Sequence, residues 1–352
     1  MDKAIRRASL WACVAAAAAL LLACGATTGE ASLAGRTDQG ASGVVVIKGR
    51  VTSELRFGPE ELSGMATVET RSNGVDLDGT YHGVFRHKGV PLRELLDRAG
   101  LAKQGAEFDK PLDLVVVVKG RSGKKVALSW GEIYYHNPGD AILAVEAAPV
   151  MPHKPCAKCH DETTYGQRLG QLTRKVGLPR LVVARDFYAD RCVEDVIEIE
   201  VVQPRPGVPT SKPDKLFSPR FSLMNAARKE TTTIEDLSGL PRTDVAAVQT
   251  GDGIGYHGVR RFSGVPLRDA LAGAGVSFDA GQAFLVIAAD GYRASVSSGE
   301  LFLQPDSSRI ILADEAEGKA IDDGGKFHLV TPDDFAADRW VKAVSRIDTL
   351  AP

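Results

Sequence analysis

The chain has 352 residues, of which 44% are hydrophobic and 25% charged, so it has the composition of a globular protein and is neither disordered nor collagen-like. Its 43 basic and 45 acidic residues give a net charge of −2, and no basic excess indicates nucleic-acid binding. The 36 glycines and 18 prolines favour short strands and many turns, and the length predicts two domains.

The N-terminus has the features of an export signal. Basic residues within positions 3–7 precede an apolar run over 8–23, which is shorter than the ~20 apolar residues that a membrane span needs. The run ends in Leu-Leu-Ala before Cys24 and resembles the lipobox of bacterial lipoproteins. We therefore predict a signal peptide over 1–23 and lipidation of Cys24. A plain signal peptide and an uncleaved anchor are the alternatives.

The residues after Cys24 predict where the protein is held. Gly25 replaces the Asp that often retains lipoproteins at the inner membrane, and 24–43 is a small, polar segment that suits a flexible tether. We expect a bacterial cell-envelope protein that is lipid-anchored at the outer membrane and faces the periplasm or the outside.

The body is a tandem repeat. Tyr-His-Gly-Val at 81–84 recurs at 256–259, and Gly-Val-Pro-Leu-Arg at 89–93 recurs at 264–268, both 175 positions later. Gly-Glu at 131–132 and Asp-Phe at 186–187 recur at 299–300 and 334–335. Two copies at this period indicate duplicated domains, which we place at 44–203 and 221–352, joined by a Pro-rich linker over 204–220.

Each copy has the same predicted elements. Apolar runs rich in branched residues, such as 114–118 and 284–288, predict strands. The segments after Pro91 and Pro266 predict helices that end near Gly100 and Gly275. These patterns predict an α+β class in which strands dominate.

The second copy carries a family resemblance. Its ordered motifs, Leu-Ser-Gly-Leu-Pro at 237–241, Ala-Asp-Gly-Tyr-Arg at 289–293 and Arg-Trp-Val-Lys at 339–342, resemble the oxidoreductase molybdopterin-binding domain of sulfite-oxidase-type enzymes. The first copy shares this resemblance because its motifs recur in the second copy. The resemblance implies two fused α+β domains of that type, each with a cleft able to hold a molybdopterin.

One departure argues against molybdenum chemistry. The family ligates molybdenum through a cysteine in a Val-Gln-Cys-like context, and this chain has Thr70 and Thr250 in the matching sequence contexts. A threonine hydroxyl does not replace a soft thiolate ligand. We therefore expect no molybdenum-dependent oxygen transfer, and a molybdopterin enzyme with atypical ligands stays an alternative.

Recurring polar side chains are candidate cleft residues. They line a ligand cleft in one interpretation, and pack at a turn or face solvent in the other. They are Tyr81, His82 and Arg86 in the first copy, and Tyr256, His257 and Arg261 in the second.

An insertion in the first copy carries the most specific motif. The repeat offset falls from 169 to 148 between the Ile-Leu-Ala and Asp-Phe motifs, so the first copy holds 21 residues that the second lacks. Within them, Cys156, Cys159 and His160 form the C-x-x-C-H pattern of c-type haem attachment. The two thiols would bond the haem, and His160 would ligate its iron.

Other interpretations of this motif stay open. Cys156 and Cys159 can form a disulfide in an oxidising compartment, or bind zinc with His160 and either Cys192 or His153. If haem binds, Met151, His153 and His136 are candidate sixth ligands.

These features together predict a cell-envelope lipoprotein that transfers electrons through one c-type haem to an envelope redox partner. Whether it is also an enzyme stays open. The alternatives are a molybdopterin-dependent oxidoreductase and a non-enzymatic ligand- or protein-binding module with a disulfide or zinc loop.

Overall fold

A computed structural model describes residues 43–103, 105–150, 170–171, 173–251, 255–322 and 324–352. These residues belong to one compact unit. The predicted signal peptide, Cys24 and the C-x-x-C-H motif lie outside the described residues. None of the described helices has the length and apolar character that a membrane crossing requires.

The described residues of the first repeat form nine strands and three short helices whose bounds are complete. The strands are β1 (Val45–Gly49), β2 (Leu55–Phe57), β3 (Val68–Ser72), β4 (Phe85–Pro91), β5 (Val115–Gly120), β6 (Lys125–Ser129), β7 (Ala141–Pro149), β8 (Arg180–Val183) and β9 (Val196–Val202). The helices are α1 (Pro59–Ser63), α2 (Leu92–Ala99) and α3 (Trp130–Tyr134).

The second repeat contributes ten strands and two short helices. The strands are β10 (Phe221–Met224), β11 (Glu230–Ile234), β12 (Thr243–Gly251), β13 (Gly255–Pro266), β14 (Ala283–Ala288), β15 (Arg293–Ser297), β16 (Ile311–Ala316), β17 (Lys319–Ala320), β18 (His328–Val330) and β19 (Val344–Leu350). The helices are α4 (Leu267–Gly273) and α5 (Ser298–Phe302).

Four small sheets form the body, two from each repeat. Sheet I has the order β2-β1-β9-β5-β6, and sheet III repeats it as β11-β10-β19-β14-β15. Sheet II has the order β3-β4-β7-β8, and sheet IV repeats it as β12-β13-β16, with β17 and β18 both paired to β16. β1 pairs in parallel with β9, and β10 pairs in parallel with β19. In each repeat, the first and the last strand are therefore parallel neighbours.

The expected fold class is wrong. Strands account for 41% of the structure and helices for 15%, and the four small sheets are arranged like the blades of a propeller instead of forming two fused sulfite-oxidase-type α+β domains. The physical reason is helix length, because the longest described helix, α2, has eight residues and ends at Gly100. Such helices close the ends of strands and do not form a layer. Without the α+β class, the assignments as an oxidoreductase and as a molybdopterin-binding domain are not supported either.

A buried arginine from each repeat reaches into the other. The Arg191 guanidinium donates to Asp186 at 2.8 and 2.7 Å and to Glu132 at 2.9 Å, all within the first repeat. Its Nη1 also donates to Ser297 Oγ of the second repeat at 2.9 Å. Arg191 is completely buried, so this network lies at the centre of the contact between repeats.

The second repeat makes the equivalent contact with the first. Arg339 donates to Asp334 at 2.7 and 2.6 Å, to Glu300 at 2.7 Å, and across the interface to Ser129 Oγ at 3.1 Å. A Cβ on Gly131 would lie 2.1 Å from Arg339 Nε, so only glycine fits there. The Gly-Glu and Asp-Phe motifs therefore recur because they build this reciprocal interface.

Candidate functional site

A cleft of about 540 Å³ opens beside sheet IV in the second repeat. This volume lies in the range of small-molecule sites. The side chains that matter for its chemistry are His257, Arg260, Phe262, Tyr292, Trp340 and Lys342.

One wall of the cleft is aromatic. The rings of Phe262 and Trp340 meet edge to face with their centroids 5.3 Å apart. Trp340 Nε1 donates to the carbonyl of Thr331 at 3.3 Å, which fixes the indole. The guanidinium of Arg260 lies 5.3 Å from the centre of the Phe262 ring, in the range of a cation–π contact.

The facing wall brings in the first repeat. The Tyr292 hydroxyl donates to the carbonyl of Asp338, and the ammonium of Lys110 lies 5.1 Å from the Tyr292 ring centre. Lys110 belongs to the first repeat, so both repeats line the cleft. Arg260 and Lys342 also line the cleft and bring positive charge to it.

Acidic groups balance this charge. As many carboxylates as cations line the cleft, and the carboxylates belong to Asp290, Glu317, Asp322 and Asp338. Glu317 and Asp290 each accept a backbone hydrogen bond, from Arg261 at 2.9 Å and from Tyr292 at 2.9 Å. The arrangement suits a small molecule that has an apolar ring for the aromatic wall and an anionic group for Arg260 and Lys342.

The candidate cleft residues of the second repeat do not all lie in the cleft. His257 lines the cleft. Tyr256 is 67% exposed and does not belong to the lining, and Arg261 is exposed while its neighbour Arg260 contributes to the cleft. Alternation along β13 turns Arg261 away between Arg260 and Phe262, because successive side chains point to opposite faces. A register shift opposite Val248 and Thr250 interrupts this alternation before His257.

In the first repeat the same motif forms a turn. Tyr81 pairs with Val75 in an isolated bridge, and His82 Nε2 lies 2.6 Å from a carboxylate oxygen of Asp76. Arg86 is exposed and 3.9 Å from Glu69. These contacts match the packing interpretation of the motif.

The two threonines do not occupy equivalent places. Thr70 lies opposite His87 on β4, which is the position of Val245 opposite Phe262 in the second repeat. Thr250 lies opposite Tyr256, which is the position of Val75 opposite Tyr81. The matched sequence contexts were therefore offset by several residues, and Thr250 Oγ1 donates to the carbonyl of Phe335 at 2.7 Å.

The described ends of the insertion both form hydrogen bonds to the segment 82–84. On the outgoing side, Val150 N donates to the carbonyl of Val84 at 2.9 Å. On the returning side, Arg174 Nε donates to the carbonyl of His82 at 2.8 Å. Cys156, Cys159, His160, Met151 and His153 lie between these ends, outside the described residues.

Two further predicted residues have structural contacts. His136 is buried, with one ring nitrogen against the Arg185 guanidinium and Nε2 3.2 Å from Asp334, so both nitrogens are engaged. Cys192 is a free thiol in a small apolar cluster with Ile142 and Val182. Within the described ranges, no three His, Cys, Asp or Glu side chains are grouped to hold a metal ion.

Sequence reasoning missed His87. It is completely buried on β4, and neither ring nitrogen has a hydrogen-bond partner among the described residues. Burial, followed by the charges of Arg180 and Arg174, lowers the pKa of His87 to about 4. A signal was available, since His87 and Phe262 both stand two residues before Gly-Val-Pro in their repeats.

Comparison with known proteins adds little. No protein-family model matches the chain. No curated protein matches it. The crystal structure of the sulfane dehydrogenase SoxCD from Paracoccus pantotrophus is similar over 88% of this chain and 79% of that one, with 14% identical residues and a TM-score of 0.32.

Proposed function

We propose that this protein is an exported, lipid-anchored electron-transfer protein that carries one c-type haem on the insertion of its first repeat. The observation that carries the proposal is that the C-x-x-C-H motif lies in the segment by which the two repeats differ most. A bound haem would supply one-electron chemistry, with His160 as an iron ligand.

The described residues support this proposal through the base of the insertion. Arg174 contacts the carbonyl of His82 and Glu194 Oε1, and its guanidinium lies 5.4 Å from the ring centre of Phe85. These contacts fasten Arg174, which follows the inserted motif in the sequence, to the first repeat.

The experiment is a denaturing gel stained for haem peroxidase activity, after expression in a host that attaches c-type haem. We expect a stained band at full length in the wild type and none in the Cys156→Ser, Cys159→Ser double variant, because both thioethers are lost. His160→Ala should keep some covalent haem but change its absorption spectrum. Cys192→Ser is the matched control, and it should stain like the wild type.

The contradicting result is an unstained wild-type band whose Cys156 and Cys159 are found by mass spectrometry as a disulfide or as free thiols. That result would favour a structural or zinc loop.

The cleft of the second repeat favours a second candidate function, the binding of a small molecule. Its aromatic wall and the charges of Arg260 and Lys342 support a ligand that combines a ring with an anionic group. This function is compatible with electron transfer in the first repeat and does not depend on it.

Binding is tested with 8-anilinonaphthalene-1-sulfonate, a fluorescent ring sulfonate. We expect saturable binding that weakens about tenfold or more in the Arg260→Ala, Lys342→Ala double variant, because each charge-assisted hydrogen bond contributes about 1.5–3 kcal/mol. Lys88→Ala is the control, because Lys88 is an exposed residue of β4 in the first repeat. Equal affinity in all three proteins, or no saturation, would exclude the cleft as the binding site.

A further inference from the structure

Two different side chains of the first repeat stand where the second repeat has its aromatic wall. His87 stands at the position of Phe262, and Cys192 at that of Trp340, as the strand register and the repeat offset show. The phenyl ring of Phe262 needs no hydrogen bond, whereas an imidazole does. Buried polar side chains without a partner are rare in folded proteins and call for an explanation.

The segment 173–179 lies near this imidazole, because the charge of Arg174 acts on His87. Arg174 lies over the ring of Phe85, whose centroid is 6.1 Å from that of His87. Glu194 holds the segment in place. Its Oε1 accepts from Arg174 at 2.7 Å and from Arg180 at 3.0 Å, and its Oε2 accepts from Gly177 N at 2.9 Å.

The charged groups that act on His87 are Arg180 on β8, Arg174 in the covering segment and Glu194 before β9. Two of the three are cations, and they oppose a third positive charge. A protonated imidazole would also bury two N–H donors that have no acceptor among the described residues. The closed state therefore favours the neutral ring.

We propose that His87 is an acid sensor, and that protonation of His87 releases the segment 173–179 from the first repeat. The device goes beyond electron transfer and does not depend on a bound haem. It would couple the pH of the cell envelope to the fastening of the insertion.

The direction of the pH dependence follows from the linkage between proton binding and opening. The open state has an ordinary imidazole with a pKa of 6.5, and the closed state has a pKa of about 4, so protons bind mainly to the open state between these values. Closure is fully favoured above pH 6.5 and is lost as the pH falls. The opening constant should rise about twentyfold between pH 7 and pH 5.

Titration of Glu194 does not produce the rise in the opening constant. Burial alone would raise its pKa, but the hydrogen bonds from Arg174 and Gly177 outweigh burial and hold the pKa of Glu194 below its usual value. The carboxylate therefore stays charged from pH 7 to pH 5.

The test is amide hydrogen exchange of the full chain at pH 5, 6 and 7, corrected for the intrinsic exchange rate and read by mass spectrometry. Peptides over 173–183 should show the twentyfold rise in the wild type. Peptides over β18, the corresponding strand of the second repeat, should not. His87→Phe copies the second repeat and should reduce the rise to less than threefold.

His87→Gln is a second variant without a titrating group, used if the phenylalanine disturbs folding. A wild-type rise below threefold would overturn the proposal. So would an undiminished rise in either variant, since another group would then be the sensor.

Discussion

Replacing Arg339 with methionine is expected to lower the free energy of unfolding by about 3–5 kcal/mol. The substitution keeps most of the side-chain volume, so the loss arises from charge and not from a cavity. In the wild type, the carboxylates of Asp334 and Glu300 both accept hydrogen bonds from the Arg339 guanidinium. The substitution leaves these two carboxylates buried without that partner. Urea unfolding at pH 7 measures the effect.

The exposed pair Arg220–Glu235 supplies the control for this prediction. Both side chains are more than half exposed, so Arg220→Met should change stability by less than about 1 kcal/mol. A loss of the same small size in Arg339→Met would contradict the structural role of the interface network.

The pH dependence of this variant provides a second signature. Burial would raise the pKa of Asp334 and Glu300, but the charge of Arg339 outweighs burial and holds both below their usual values. The stability that the network contributes is thus present above about pH 4 and is lost as the pH falls. The difference between wild type and Arg339→Met should therefore persist above about pH 4 and shrink as the pH falls further.

Asp113→Ala should also destabilise the protein by about 3–5 kcal/mol. The Asp113 carboxylate is completely buried and pairs with Lys103 of its own repeat and with Arg293 of the second, the latter at 3.1 Å. Arg293 in turn donates to the carbonyl of Val208 in the linker at 3.1 Å. Removing Asp113 leaves two buried cations and loosens both repeats and the linker.

Thermal unfolding followed by circular dichroism compares Asp113→Ala with Glu69→Ala. Glu69 belongs to the exposed pair with Arg86 at 3.9 Å, so its removal should have little effect. Equal melting temperatures for the two variants would show that the Asp113 cluster does not hold the repeats together.

The sequence was informative where one local pattern determines one structure. The all-apolar run of β5 and the helix that ends at Gly100 are both present. Fold class was misjudged because it depends on the relative amounts of helix and strand and on how sheets associate. Helices of five to eight residues contribute one or two turns, and the sequence patterns gave no measure of their packing.

The candidate site was only partly accessible from the sequence. His257 was identified from its repeat, but Arg260, Phe262 and Lys342 reach the cleft through the alternation of β13 and the position of the segment after β18. Lys110 could not be assigned, since it comes from the other repeat. The repeat motifs themselves proved to be interface residues, as Gly131 and Gly299 show, because each packs against a buried arginine of the other repeat.

The most direct test of the proposed function is the visible absorption spectrum of the full-length protein, purified from the envelope of a host that attaches c-type haem. The proposal predicts a Soret band that stays with the polypeptide after acid–acetone extraction, at about one haem per chain. A spectrum without a Soret band, from protein whose Cys156 and Cys159 are intact thiols or a disulfide, would contradict it.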